Sequence, residues 1–189
     1  MKKRKSLYHG HRFRAAIISL AVRWYFRFQL SLRDIEELLF ERGVVVSYET
    51  IRRWCDKFGA GFAHRVKAAR RKPGRTWRVV TDQLRSYPAA KADIPELANV
   101  KHVFVKAAAR VNNRAENSHQ PTREREQRMR GFRDPKRTQA FLSSFGLIRQ
   151  HFALKRHLLR ASRYRKQLSS RFAAWREFTG IAQNPSTVS

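Results

Sequence analysis

Residues 31–58 read SLRDIEELLFERGVVVSYETIRRWCDKF, two short helical stripes, each opened by a serine, with a glycine and three valines between them. Ser31, with Asp34 three positions on, has the form of a capping box, and Leu32, Ile35, Leu38 and Leu39 supply a stripe that Gly43 can end. Ser47 caps the next segment, in which Tyr48, Ile51, Cys55 and Phe58 are expected to face inward. Its other side carries Glu49, Thr50, Arg52, Arg53 and Lys57. Upstream, Ile17, Ala21, Trp24 and Phe28, flanked by Ile18, Val22 and Tyr25, predict a first helix over 12–28. Three short helices ending in one with a polar, basic face fit a helix-turn-helix, whose last helix lies in the major groove of DNA. They fit a plain helical bundle with a solvated face as well, and Val44–Val46 reads either as part of the turn or as a short strand.

The charge balance favours DNA. The chain of 189 residues holds 42 Lys and Arg against 14 Asp and Glu, a formal charge of +28. Such an excess repels itself unless a polyanion neutralises it, and its bases are interleaved with aromatic residues along periodic segments rather than gathered in a tail. Thr50, Arg52, Arg53 and Lys57 are therefore the expected contacts to double-stranded DNA. Cys55 is the only cysteine, which excludes a disulfide framework or a thiolate zinc cage and points to a reducing compartment, the cytoplasm. No apolar run approaches the roughly 20 residues that cross a bilayer, so no membrane role is expected.

Residues 59–75, GAGFAHRVKAARRKPGR, combine glycine, proline and bases and read as a basic linker. TWRVVTD and KHVFVKA then predict two short strands, and NNRAENSHQ opens a helix. Phe141, Phe145, Ile148 and Phe152 mark one C-terminal amphipathic helix, and Tyr164, Leu168, Phe172, Trp175 and Phe178 another. Asp82 ends the first strand and Glu116 starts the helix that follows the second. Carboxylates so placed can hold Mg²⁺ for in-line attack on a phosphodiester, although two acids in an arginine-rich chain also serve as surface ion pairs.

The strings GHRFRAAIISLAVRWYFRFQLSLRDIEELLFERGVVVSYETIRRWCDKFG, VTDQLRSY and NNRAENSHQPTRERE, with the stretch through RHLL and WREF, closely resemble the insertion-sequence-six family of bacterial transposases over nearly the whole chain. The resemblance implies a helix-turn-helix, a ribonuclease H-like core with an Asp-Asp-Glu triad, Mg²⁺ as cofactor, and strand transfer at the insertion-sequence ends. It assigns Asp82 to the second aspartate and Glu116 to the glutamate, as catalytic residues and metal ligands. Arg114, Arg123 and Arg125 are then expected to hold DNA phosphates.

One carboxylate of that pattern is missing. The family's first aspartate follows a Thr-Trp pair, with a hairpin, a strand and a helix before the second. Here Thr76-Trp77 runs directly into Arg78-Val79-Val80-Thr81-Asp82, and no acid occurs between Lys57 and Thr81. An internal deletion is the expectation. Asp93 and Glu96 are the stand-ins if an acid has relocated, and His119 is the nearest other ligand.

The expected architecture is α+β and mostly helical: a DNA-binding domain over 1–58, the linker 59–75, and an incomplete ribonuclease H-like core with C-terminal helices over 76–189. Two functions follow: an impaired insertion-sequence transposase, or a non-catalytic remnant that occupies element ends or inhibits an intact transposase. The expected protein partner is a second copy or that intact transposase.

Overall fold

The computed structural model describes residues 6–70, 78–81, 88, 89, 92, 93, 95, 100–104 and 112–181. They fall in two compact units, the first formed by 1–70 with 128–189 and the second by 71–127. The chain is mostly helical.

In the first unit, α1 (Ala15–Arg27) gives way to extended backbone at Phe28. α2 (Leu32–Phe40) starts on the expected capping box: Ser31 Oγ accepts from Asp34 N at 3.1 Å, and Asp34 Oδ2 accepts from Ser31 N at 2.8 Å. Gly43, at φ +74°, takes the left-handed conformation that ends the helix, and Val44 N then donates to Leu39 O at 2.9 Å. Val44–Val46 form no strand. Ser47 caps α3 (Tyr48–Ala68), accepting from Thr50 N. Asp134 opens α5 (Pro135–His151), accepting from Lys136 N and Arg137 N at 2.9 and 3.1 Å. A 3-10 turn over Arg156–Leu158 leads to α6 (Ala161–Phe178).

α3 departs from the sequence reading. Residues 59–68, expected as linker, continue it without a break, so that α3 has 21 residues and is about 31 Å long. Phe58, Phe62 and Val66 recur at four-residue spacing and are all buried, and this stripe outweighs the two glycines that argued for a break. Gly59 belongs to that interior: a Cβ there would lie 2.8 Å from Phe26 Cε2, so α1 approaches α3 as closely as only glycine permits. Gly61 has nothing within 4 Å of its missing Cβ.

The core gathers Ile18, Val22 and Phe26 of α1, Ile35 and Leu39 of α2, and Ile51, Trp54, Cys55 and Phe58 of α3. The buried face of α1 is thus turned from the one expected, leaving Phe28 43% exposed, and Tyr48 of α3 is exposed to the same degree, with Arg33 lying over its ring. Phe141, Phe145, Ile148 and Phe152 close the core from α5 as their spacing predicts. Of the α6 stripe only Trp175 is fully buried, donating from Nε1 to Ser19 Oγ at 2.9 Å. The Tyr8 hydroxyl donates to Thr179 O at 2.7 Å; burial pushes its pKa up to about 12, which keeps it a donor.

The second unit contains β1 (Arg78–Thr81) and β2 (Lys101–Phe104), paired in parallel with Arg78 opposite Lys101 and Thr81 opposite Phe104. The chain between them is long enough for the crossover that a parallel pair needs. α4 (Asn112–Arg128) follows.

His151, at the end of α5, is buried against Phe152, Trp175 and Phe178 and hydrogen-bonds through Nε2 to Arg171 O at 3.0 Å. Burial lowers its pKa, the carbonyl works against that shift, and the charges of Arg171 and Arg70 add to it. An unfolded histidine titrates near pH ~6.5, so below that value the unfolded chain takes the proton first and stability falls with pH. His151→Gln should flatten the fall in melting temperature between about pH 7 and 5.5; an unchanged slope would place the acid sensitivity elsewhere.

The two glycines of α3 give opposite expectations. Gly61→Ala should stabilise by about 0.5–1 kcal/mol through helix propensity, whereas Gly59→Ala should cost about 1–3 kcal/mol by displacing Phe26. Urea unfolding of the two variants measures both, and equal effects would remove the special role of Gly59.

Candidate nucleic-acid interface

The exposed side of α3 is where the sequence places DNA contacts, and its charges are mixed. Arg52 bonds Glu49 through Nε at 3.0 Å and Nη2, and Asp56 through Nη1 at 3.0 Å. The hydrogen bond to Arg52 holds the Glu49 carboxyl below the usual range, and the same bond raises the Arg52 pKa. Arg52 is therefore occupied by its own helix. Arg53 is exposed, and none of the ion pairs among the described residues includes it. Thr50 is half-buried, with its hydroxyl 3.0 Å from Ser47 Oγ, and so belongs to the cap. Lys57 Nζ lies 2.9 Å from His11 Nε2, which binds the segment before α1 to α3. Desolvation, then the Lys57 charge, lowers the His11 pKa, so the ring is neutral and accepts from the ammonium.

The charge distribution across the chain was not anticipated from the helix pattern. Residues 31–58 hold five bases and six acids, while residues 135–176 hold eleven bases and no acid. The positive excess lies outside the segment that resembles a DNA-reading motif. Lys155, Arg156, Arg160, Arg163, Arg165, Lys166, Arg171 and Arg176 are all exposed. Their signal in the sequence is this acid-free run, which apolar periodicity does not reveal.

In the second unit, Asp82 follows the last residue of β1 and lies outside the described residues, as does Glu96. Glu116 and Arg114 sit in the opening turns of α4, and only their backbone is described. Asp93, His119 and Arg123 are exposed. Arg125 is only 2% exposed, so its guanidinium is closed off from a phosphate, contrary to expectation. Among the described residues no three His, Cys, Asp or Glu gather to hold a metal ion, and those residues do not compose a Mg²⁺ centre. No helix among them is long and apolar enough to cross a membrane.

A family model described as a DDE domain matches residues 56–157, more than half of the chain. The protein belongs to this family, the insertion-sequence transposases with a DDE domain. The transposase for insertion sequence-like element IS431mec of Staphylococcus aureus is 37% identical over 67 residues, which are 35% of this chain and 30% of that protein. The transposase for insertion sequence element IS257 in transposon Tn4003, also from Staphylococcus aureus, is 36% identical over 67 residues with the same coverage. The match thus spans about 30% of the length of these curated relatives. No solved structure matches. The family match begins at Asp56, inside α3, so the segment that resembles a DNA reader and the DDE domain share one helix.

The two α3 arginines differ in what they can offer DNA. Arg53→Ala should weaken binding of a duplex oligonucleotide more than Arg52→Ala, as measured by fluorescence anisotropy at fixed salt. The reverse order would show that Arg52 leaves Glu49 and Asp56 to meet DNA.

Proposed function

We propose that this protein is an insertion-sequence transposase chain that binds the ends of its element and is impaired in strand transfer. Family membership supports the origin. The capped pair α2 and α3 supports a helix-turn-helix, with α3 as the helix that enters the major groove and Arg53 as its leading contact. The observation that carries the impairment is the acid-free stretch between Lys57 and Thr81. Its first part, through Ala68, is the second half of α3, and among the described residues the four-residue β1 directly precedes Asp82. A triad needs a third carboxylate on a neighbouring strand, and this chain has no acid in the segment that would supply it.

In this reading Asp82 and Glu116 are the two retained members of the triad, and the segment with the third has been deleted. The chain keeps binding, positioning and neutralisation of DNA and lacks the complete set for two-metal chemistry, in which ions about 3.5–4 Å apart flank the reacting phosphate. Its protein partner is then an intact transposase or a second copy, with which it competes for element ends.

The test measures binding and chemistry on the same full-length chain. Binding to an insertion-sequence terminal-repeat duplex should be steeply salt-dependent. Arg53→Ala should cost about 1–3 kcal/mol of that binding and relax discrimination against unrelated duplex. With Mg²⁺ present, strand transfer should stay at background. Robust transfer that Glu116→Gln abolishes would overturn the impairment, and a flat salt response would overturn DNA as the partner.

A further inference from the structure

Four arginines from three different parts of the chain meet where α1, α5 and α6 come together. Arg23 lies over the rings of Phe172 and Phe152, at 4.7 and 5.7 Å from their centroids. One turn on, Arg27 donates from Nη2 to Phe152 O at 3.3 Å and lies over Phe28 at 5.5 Å. Arg149 stands at the end of α5, close enough for its charge to lower the Arg27 pKa, an effect second to burial. Arg156, on the 3-10 turn, covers the Tyr164 ring at 5.4 Å, and Tyr164 is also within electrostatic reach of Arg27.

Among the described residues none of the four forms an ion pair. The contrast with Arg52 is direct, because that arginine is held by two carboxylates. Like charges fixed side by side without a counter-charge cost free energy in the free protein, and a bound anion recovers it. The elements that bring these arginines together also end there, so the carbonyl ends of α1 and α5 share the place and favour the cations. A guanidinium lying on an aromatic ring is already ordered and keeps its edge donors for phosphate oxygens. Arg160 and Arg163, both exposed, extend the basic surface onto α6.

We propose that Arg23, Arg27, Arg149 and Arg156 form a phosphate-binding face that seats the backbone of duplex DNA, independently of its sequence. The proposal rests on the reading of this chain as a DNA binder and adds a second contact surface to it, distinct from the exposed side of α3. Duplex DNA is the occupant that matches the charge, since its backbone offers a phosphate array to a cluster contributed by several elements. On this surface α1, α5 and α6 set the position on the duplex while α3 supplies the discrimination, the division between phosphate and base contacts common to DNA-binding proteins.

The test uses the full chain and a duplex of random sequence, titrated by anisotropy at a series of KCl concentrations. Each arginine that neutralises a phosphate contributes about 1 to the slope of log affinity against log salt. Arg149→Gln with Arg156→Gln should therefore make the slope shallower by about 2, and the single exposed change R156Q by about 1. The double lysine variant, R149K with R156K, should keep most of the slope, and all variants should melt as the parent does. An unchanged slope in the folded glutamine variants overturns the cluster while leaving DNA binding intact. Absence of salt-dependent binding in the parent overturns the reading on which the cluster rests. A slope lost equally in the lysine and glutamine variants assigns the arginines to packing and overturns the proposal too.

Discussion

The first unit depends on one close approach, that of Phe26 to Gly59. Any side chain at 59 would meet the ring, whose nearest atom is 2.8 Å from the Cβ position. With the space open, Phe26 enters between helices and stacks on Phe141 of α5, centroids 5.8 Å apart, while Phe141 stacks on Phe145 at 5.1 Å. Ser144 of α5 reaches the same point, 3.6 Å from that position. Three helices thus converge at the middle of α3, and the continuity of α3 through Gly59 is what makes the convergence possible. The helix-propensity cost of glycine, about 1 kcal/mol, is small against the burial of an aromatic ring.

From that point the helix carries two sets of contacts. Its first half, through Ile51, Trp54, Cys55 and Phe58, holds the α1–α2 pair; its second half, through Phe62, Ala63 and Val66, meets the C-terminal helices. Phe62 packs edge-on to Trp175 at 5.6 Å, and Arg65 donates to Phe178 O at 2.7 Å. With the Tyr8 bond to Thr179 O, this satisfies carbonyls at the end of α6 that the helix itself leaves without partners. A chain expected as a DNA-binding head joined by a linker to a core has instead its first 70 residues and its last helices in one packed unit.

What could be read from the sequence was local. The Ser31 capping box, the Ser47 cap, the left-handed Gly43 and the α5 stripe follow from residues within a few positions of each other, and all were legible. Gly59 was not, because its meaning lies in Phe26, more than thirty positions away, and glycine taken alone argues for a break. The arginine cluster was hidden for the same reason: Arg23 acquires its role only beside Phe152 and Phe172. The strings around Asp82 and Glu116 pointed to the family, which the DDE-domain match bears out. Their chemistry was not legible beyond residue type, because a metal centre is a spatial arrangement of side chains that a string of residues does not give. Arg125 shows how far neighbourhood in sequence misleads, since a basic residue among polar ones turned out to be buried.

The distribution of charge separates two properties that composition alone merges. A formal +28 implies a polyanionic partner, yet residues 31–58, with five bases and six acids, cannot supply that attraction. Long-range attraction to phosphate depends on net charge, while discrimination among bases depends on a few placed donors in a groove. If α3 reads DNA as proposed, its near neutrality would let any duplex hold it only weakly through charge, which would limit how long it dwells on wrong sequences. On the same proposal, the basic run over residues 135–176, in the same packed unit, would provide most of the affinity. The cost is salt sensitivity, because affinity drawn from phosphate contacts falls as counterions compete. Since α3 packs against α1 and against the C-terminal helices, the orientation of its exposed side relative to their basic residues is fixed by the packing around Gly59 rather than by a linker.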